Sequence, residues 1–235
     1  MGFDIGFMLV TVKVGLGAVP LTARLALTSF AVSLFFGTTI ATLRVYNIRF
    51  FAPALKIFVN VIKAVPGILI LYIFYFFIVD GFNFLAQSLH LAVNSSIINV
   101  NTIGIIALSF TGSITVSETI RGSFMSVHRG QYEGAYSVGL TGWQTLRRII
   151  LPQVIPVAVP VLCNNLIVFV KTSSVLYFIA VMDILNACMI PATANYKFLE
   201  AYIAAALIYW GICFIIEKVS KLLERKLSRF RRVVV

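Results

Sequence analysis

A chain of 235 residues with 60% hydrophobic side chains, 11% charged residues and a mean hydropathy of +0.99 falls outside the ordinary water-soluble class, in which about a quarter of residues are charged. Nineteen Lys and Arg against eight Asp and Glu give a formal charge of +11, which in a soluble protein would point to nucleic acid; in a chain this apolar, the placement of the cations reports membrane topology instead. At about 20 apolar residues per crossing, the length accommodates roughly five to seven helical spans and no separate soluble domain.

In chain order, residues 1–19 read as an external amino-terminal segment with no cleavable leader. A first apolar run covers 20–42, interrupted by Arg24, and a second covers 54–78; both are long enough to cross. The stretch 80–101, marked by Asn83, Asn94, Ser95, Ser96 and Asn101, reads as a loop, and a third span covers 102–117. From 118 to 152 the chain carries Arg121, Arg129, Glu133, Arg147 and Arg148 among small polar residues, a composition suited to water or a protein partner. A fourth span begins near Leu151, a last one covers 199–216, and a basic tail fills 217–235.

Parity decides the segment between the last two spans, which is apolar but holds Asp183 and opens with Lys171-Thr172-Ser173-Ser174. With an odd number of crossings, the cations at 44–56, 119–150 and 216–235, fourteen of the nineteen, fall on one side. A sixth crossing would send the tail to the other side. Residues 173–190 are therefore expected to form a short helix near the outer surface that does not cross, and the positive-inside rule places the amino terminus outside and the carboxyl terminus in the cytoplasm. No internal repeat is visible, which weakens a secondary-transporter reading.

The most informative stretch follows the third span. Gln131 to Val138 predicts two helical turns in which Gly134, Ala135 and Ser137 give a small surface that another molecule can approach closely, and Gly139 stands where a left-handed residue ends the helix. Thr141 with Gln144 matches a capping box for a second helix, Trp143 and Leu146 supply apolar anchors, and Pro152 marks the return to the membrane. A short helix held between two glycine turns, at Gly130 and Gly139, suits a groove on a soluble protein; an ordinary amphipathic loop helix is the alternative.

Arg129-Gly130-Gln131-Tyr132-Glu133-Gly134-Ala135, then Gly139, then Ile149-Ile150-Leu151-Pro152-Gln153 resembles the Glu-Ala-Ala loop of permease subunits of ATP-binding-cassette importers, and more narrowly the polar amino acid subfamily. Glu118-Thr119-Ile120-Arg121-Gly122, Pro160, Asn164 and Lys171-Thr172-Ser173-Ser174 extend the resemblance, which runs from about residue 20 to 227. There are departures: Gly134 stands for the first Ala, Lys63-Ala64-Val65-Pro66 for Arg-Gly-Thr-Pro, and Lys171-Thr172-Ser173-Ser174 for Lys-Asp-Thr-Ser. The resemblance implies an all-α membrane protein, a five-span type I importer bundle with a cytoplasmic coupling helix, in which 20–216 form the permease domain and 119–150 the coupling loop. It implies ATPase coupling through Gln131, Tyr132, Glu133, Gly134, Ala135, Gly139 and Leu140. The implied partners are two ATPase subunits that hold ATP and Mg, a second permease subunit (a copy or a close relative), an external amino acid-binding protein and membrane lipid, with no nucleic acid. This chain has no Gly-x-x-x-x-Gly-Lys-Ser/Thr loop and is expected to bind no cofactor and to catalyse no reaction.

Charged groups inside a bilayer cost roughly 2.5 to 3.5 kcal/mol each on insertion scales and need a reason. Lys63 either faces a pathway or snorkels. Glu118 and Arg121, three apart on one helical face, are expected to pair structurally. Asn164, Lys171, Ser173 and Ser174 follow Pro160, which frees backbone carbonyls, so they either re-satisfy the helix or, as the favoured reading, line a polar route for an amino acid; Pro66 is placed with them. Cys163, Cys188, Cys213, His90 and His128 are too scattered for a metal site. The expected function is import of a polar amino acid, cystine or similar, across a bacterial plasma membrane. The alternative is an ATP-independent ion-coupled carrier or channel, which requires coupling carboxylates at mid-membrane.

Overall fold

The computed structural model describes residues 2–91 and 93–231, with side chains through residue 226; the tail cations Arg229 and Arg231 therefore lie outside the described side chains, and Arg232 outside the described residues. The described residues form α1 (Ile5–Gly17), α2 (Val19–Val45), α3 (Phe51–Ala64), α4 (Gly67–Ser88), α5 (Val100–Met125), α6 (Arg129–Ser137), α7 (Gly142–Thr145), α8 (Leu151–Thr172), α9 (Ile184–Asn195) and α10 (Phe198–Arg231), with no strand among them. Five stretches, α2, α4, α5, α8 with its flanking turns, and α10, are long and apolar enough to cross a membrane. Even the 22-residue α4 rises about 33 Å against a hydrocarbon core of about 30 Å. The expected five-span, all-α bundle is the fold that forms.

Its centre is α5, whose small residues let neighbouring helices approach closely. Ser29 and Ser33 of α2 donate their hydroxyls to the carbonyls of Ile105 (3.5 Å) and Ser109 (3.0 Å), a constant offset of 76 residues, so α2 and α5 run parallel. A Cβ at Gly37 would come within 2.9 Å of the Ser113 carbonyl, and one at Gly112 would run into the Phe169 ring. Helix α8 is antiparallel to α5: Leu176 lies against Gly104, Phe169 against Gly112, and Asn165 Nδ2 donates to Thr119 Oγ1 at 2.9 Å. The spans thus alternate in direction along the chain as consecutive crossings demand. The α6 loop lies at one end of the bundle, and the 93–99 segment and the start of α10 at the other.

Several span boundaries differ from the sequence reading: α4 runs through the first part of the expected 80–101 loop to Ser88, and α10 continues as helix past 216. The run 54–78 is not one span. Pro66 pushes the residue before it out of the helical region, Val65 is extended (φ −90°, ψ 129°), and the chain divides into an amphipathic α3, too short to cross, and the spanning α4. The third span is longer than 102–117, because Ser117 and Ser123 donate their hydroxyls to the carbonyls of Ile114 and Thr119. These residues satisfy their own helix rather than interrupting it. Glu118 and Arg121 consequently sit on the spanning helix. The segment 173–190 follows its expected course: a tight helical turn over Ser173–Ile179, a left-handed Ala180 (φ 60°), and then the 12-residue α9, about 18 Å long and too short to cross. Asp183 caps α9 by accepting from the Asn186 amide (3.0 Å) and from Tyr209 Oη (2.7 Å), while the Ile184 amide donates to Thr22 Oγ1 (3.1 Å).

Most of residues 1–19 is helix α1, packed on α9 and α10 with Gly15 held close to Cys188 and Ile208. Asp4 fastens its start, accepting from the Phe7 amide (2.9 Å) and from Lys197 Nζ (2.5 Å), while the Asp4 amide donates to Glu200 Oε1 (3.0 Å). The Lys197 ammonium holds the Asp4 carboxyl below its ordinary 3.8. A carboxyl lowered by folding stabilises above its unfolded value and loses that contribution as pH falls through the folded one. Amide-exchange protection of residues 5–12 should therefore hold above about pH 4 and drop below it, and Asp4→Asn should lack that step. Identical profiles for the two proteins would show that the tether does not hold α1.

Candidate functional site

The loop at the α6 end follows local rules closely. Val138 ends α6, Gly139 takes a positive φ of 81°, the Leu140 amide donates to the Ala135 carbonyl (3.1 Å) and the Gly139 amide to that of Tyr136 (3.0 Å). This is the six-to-one and five-to-two pair of a Schellman cap, for which a residue without Cβ is preferred. The capping box is complete: Gln144 N donates to Thr141 Oγ1 (3.3 Å) and Thr141 N to Gln144 Oε1 (2.9 Å). A π-type turn at Leu146–Ile150 then leads into α8, with Pro152 at its start. Gly130 differs from expectation, since it lies inside the first turn of α6 and makes no turn of its own.

Which face of α6 is turned outward follows from how it leans on the foot of α8. Ala135 is buried and Tyr132 half-buried, the latter joining Leu146 against the cluster of Val127, Ile150, Val154 and Ala158. Gln153 Nε2 donates to Gln131 Oε1 at 3.2 Å across this seam. The outward surface is made by Glu133, Gly134, Ser137, Val138 and Gly139, flanked by Tyr136 and Trp143; Leu140 is half-buried. Two expectations are thereby corrected. Ala135 offers no surface to another molecule because its face of α6 is the one that seats the helix on its own bundle. Trp143 is no anchor, since it is 67% exposed and the anchoring falls to Leu146.

Just inside this end, Glu118 binds more than Arg121. Its carboxylate meets Arg44 Nη1 at 2.5 Å, Arg121 Nη2 at 3.2 Å and Lys63 Nζ at 3.6 Å, which ties α2, α3 and α5 together. Arg44 is the most enclosed of the three cations, with 9% of its side chain exposed. Lys63, expected along a pathway or snorkelling, stands beside this carboxylate with about half of its side chain exposed, and Pro66 lies exposed at the α3–α4 break.

On the other flank, α8 and α10 enclose a groove of about 990 Å³. Asn164, Lys171 and Ser174 stand on its α8 side, with Tyr209, Trp210 and Glu217 opposite. Ser173 does not reach it. That residue is buried and its hydroxyl donates to the Val170 carbonyl at 2.8 Å, because the tight turn beginning there rotates it inward. The sequence reading counted Arg44 only as a topology cation and passed over its pairing with Glu118, the Asn165–Thr119 bond and the Asp183–Tyr209 bond, all of which depend on partners distant in the chain. Among the described residues no three His, Cys, Asp or Glu gather to hold a metal.

The comparisons with known proteins agree on one family. Residues 33–229 match the model of binding-protein-dependent transport system inner membrane components. The chain is 34% identical over 203 residues to a probable amino-acid ABC transporter permease, YckA of Bacillus subtilis (85% of this chain, 84% of that protein). To the L-cystine transport system permease TcyB of the same organism it is 31% identical, covering 91% of this chain and 86% of the relative. A solved structure described as an amino acid ABC transporter with histidines superposes with a TM-score of 0.81 at 26% identity, covering 96% of this chain and all of that one. The chain therefore belongs to the family of binding-protein-dependent transport system inner membrane components, as a multi-pass permease subunit and not an enzyme.

Proposed function

We propose that this chain forms the membrane pathway of an ATP-driven importer of polar amino acids, cystine or a similar zwitterion first, and couples that pathway to separate ATPase subunits. The α6 loop carries the reading: a nine-residue helix seated on its own bundle through Tyr132 and Ala135, sharply capped at Gly139, with Glu133, Gly134 and Ser137 facing outward. Such an element transmits force to α5 and α8, from which it is suspended, when a partner grips its free face. Gln131 and Leu140 fix its pose and Gly139 its length. Two ATPase subunits holding ATP and Mg would grip it from the cytoplasm, in a bacterial plasma membrane with the amino terminus outside and the carboxyl terminus inside. A second permease subunit, a copy or a close relative, would complete the route, and an external binding protein would deliver the solute.

In this reading residues 1–19 stay on the outer side, 20–216 form the permease domain, whose coupling loop, expected over 119–150, begins only where α5 ends at Met125, and 217–235 are a basic cytoplasmic tail. The α8–α10 groove supplies a cation at Lys171, an amide at Asn164 and, at Ser174, a hydroxyl oxygen left to accept because its proton goes to the Lys171 carbonyl (2.7 Å), a set that suits the carboxylate and ammonium groups of a zwitterion. The likeness to a cystine permease supports cystine as the first solute to try. Reconstitution into vesicles with the ATPase and binding-protein subunits should give ATP-dependent uptake of labelled cystine. Equal uptake without any ATPase would overturn the coupling and favour the ion-coupled carrier.

A further inference from the structure

On the flank formed by α2, α3 and α5, away from the α8–α10 groove, two adjoining cavities have opposite character. One, of about 710 Å³ at the α6 end, is lined by Arg44, Arg49, Lys56 and Arg121 with Glu118 as its only carboxylate. That carboxylate already accepts from Arg44 and Arg121, so the cavity carries a clear excess of positive charge. Among the described residues Arg49 and Lys56 pair with no carboxylate, and Arg121 Nε is buried without a partner. The other cavity, about 460 Å³, lies further along the same helices and is walled by Phe36, Ile40, Phe58, Phe74, Phe110 and Ile114, nearly free of polar groups.

The two are one continuous surface, as helical spacing shows. On α2, Phe36, Ile40 and Arg44 follow at intervals of four; on α5, Phe110, Ile114, Glu118 and Arg121 follow at four, four and three. Residues so spaced share one face. The surface is therefore basic where it meets the bilayer boundary and apolar where it enters the hydrocarbon. Beside it α3 lies as a short amphipathic helix with Phe50, Phe51 and Ile57 exposed, the form of a helix resting in the interface.

We infer that this flank is a binding site for an anionic phospholipid, its phosphate headgroup among Arg49, Lys56 and Arg121 and an acyl chain along the Phe36–Ile40 stripe. A free anion satisfies the basic cavity but leaves the apolar one uncovered, and a neutral lipid does the reverse. Only a ligand with both parts complements both cavities, and basic pockets between spanning helices are known headgroup receptors. The site does not depend on which solute crosses the membrane, because it shares no lining residue with the α8–α10 groove.

Native mass spectrometry of the full-length protein, titrated with dioleoyl phosphatidylglycerol or dioleoyl phosphatidylethanolamine, tests the assignment. One phosphatidylglycerol should be retained at least about tenfold more tightly than phosphatidylethanolamine. Arg49→Gln with Lys56→Gln should weaken that retention by about tenfold or more, Arg49→Lys with Lys56→Arg should restore it, and Lys13→Gln, elsewhere on the chain, should leave it unchanged. Phe36→Ser should weaken the lipid while leaving competition by inorganic phosphate as it was. Equal retention of the two lipids, selectivity that survives the double glutamine variant, or complete displacement by inorganic phosphate with no effect of Phe36→Ser would each overturn the inference. So would a dimer whose interface covers Phe36 and Lys56 and excludes both lipids.

Discussion

Replacing Gly139 by Val should abolish most solute uptake while leaving the protein in the membrane at wild-type amount. The backbone there has φ +81°, and a Cβ at this position meets nothing within 4 Å, so the penalty is conformational and involves no collision. A left-handed conformation costs an ordinary residue roughly 1–2 kcal/mol, and a β-branched one more, since its side chain is stiff at χ1. That is comparable to the two backbone bonds of the cap, from Gly139 to Tyr136 and from Leu140 to Ala135, each worth about 1 kcal/mol. The last turn of α6 opens instead, and Leu140 and the Thr141–Gln144 box move with it. Nothing in the spanning core touches Gly139, so insertion is unaffected. Measured in vesicles containing the assembled importer, uptake should fall by about tenfold or more while ATP hydrolysis continues. Gly139→Asn, which tolerates the left-handed region, should remain close to wild type. Full uptake by the valine variant would show that the cap plays no part in coupling.

The contrast between what sequence reveals at this loop and elsewhere has a physical origin. The Gly139 cap and the Thr141–Gln144 box involve groups three to five residues apart, so residue identity alone specifies them. Burial of Ala135 beside exposed Gly134 depends on the rotation of α6 against α8, which no local rule supplies. The α3–α4 break was marked by Val65-Pro66, yet apolar residues on both sides disguised it as a single span. The partners of Glu118 were out of reach in a different way: Arg44 stands 74 residues away, and the register of two parallel helices is set by packing of Ser29, Ser33 and Gly37 against α5. Hydropathy counts crossings but does not set register. The same limit hid Asp183, whose phenol partner, Tyr209, lies a whole helix later.

Loss of the Glu118 charge should cost the fold more stability than opening the Gly139 cap. Glu118→Gln preserves the side chain's shape but leaves Arg44, with 9% of its side chain exposed, facing an amide, and places Arg121 and Lys63 beside it without a counter-charge. Breaking a fully buried ion pair by removing one partner costs about 3–5 kcal/mol, because the orphaned charge has given up its hydration; with Glu118 24% exposed the loss falls at the lower end, about 3 kcal/mol. For a chain of this size each kcal/mol moves the unfolding midpoint by about 2–4 °C, so the variant should melt at least about 6 °C lower. Adding Arg44→Met removes the orphaned charge as well and should recover a substantial part of the loss, which separates charge from packing in a double-mutant cycle. A midpoint within about 2 °C of wild type would show that water already solvates the cluster. Because α2, α3 and α5 meet at Glu118 directly inside the point where α6 leaves the bundle, this variant should lower both the amount of protein in the membrane and uptake. Gly139→Val should lower uptake alone, and the comparison of the two distinguishes a foundation of the coupling loop from the loop itself.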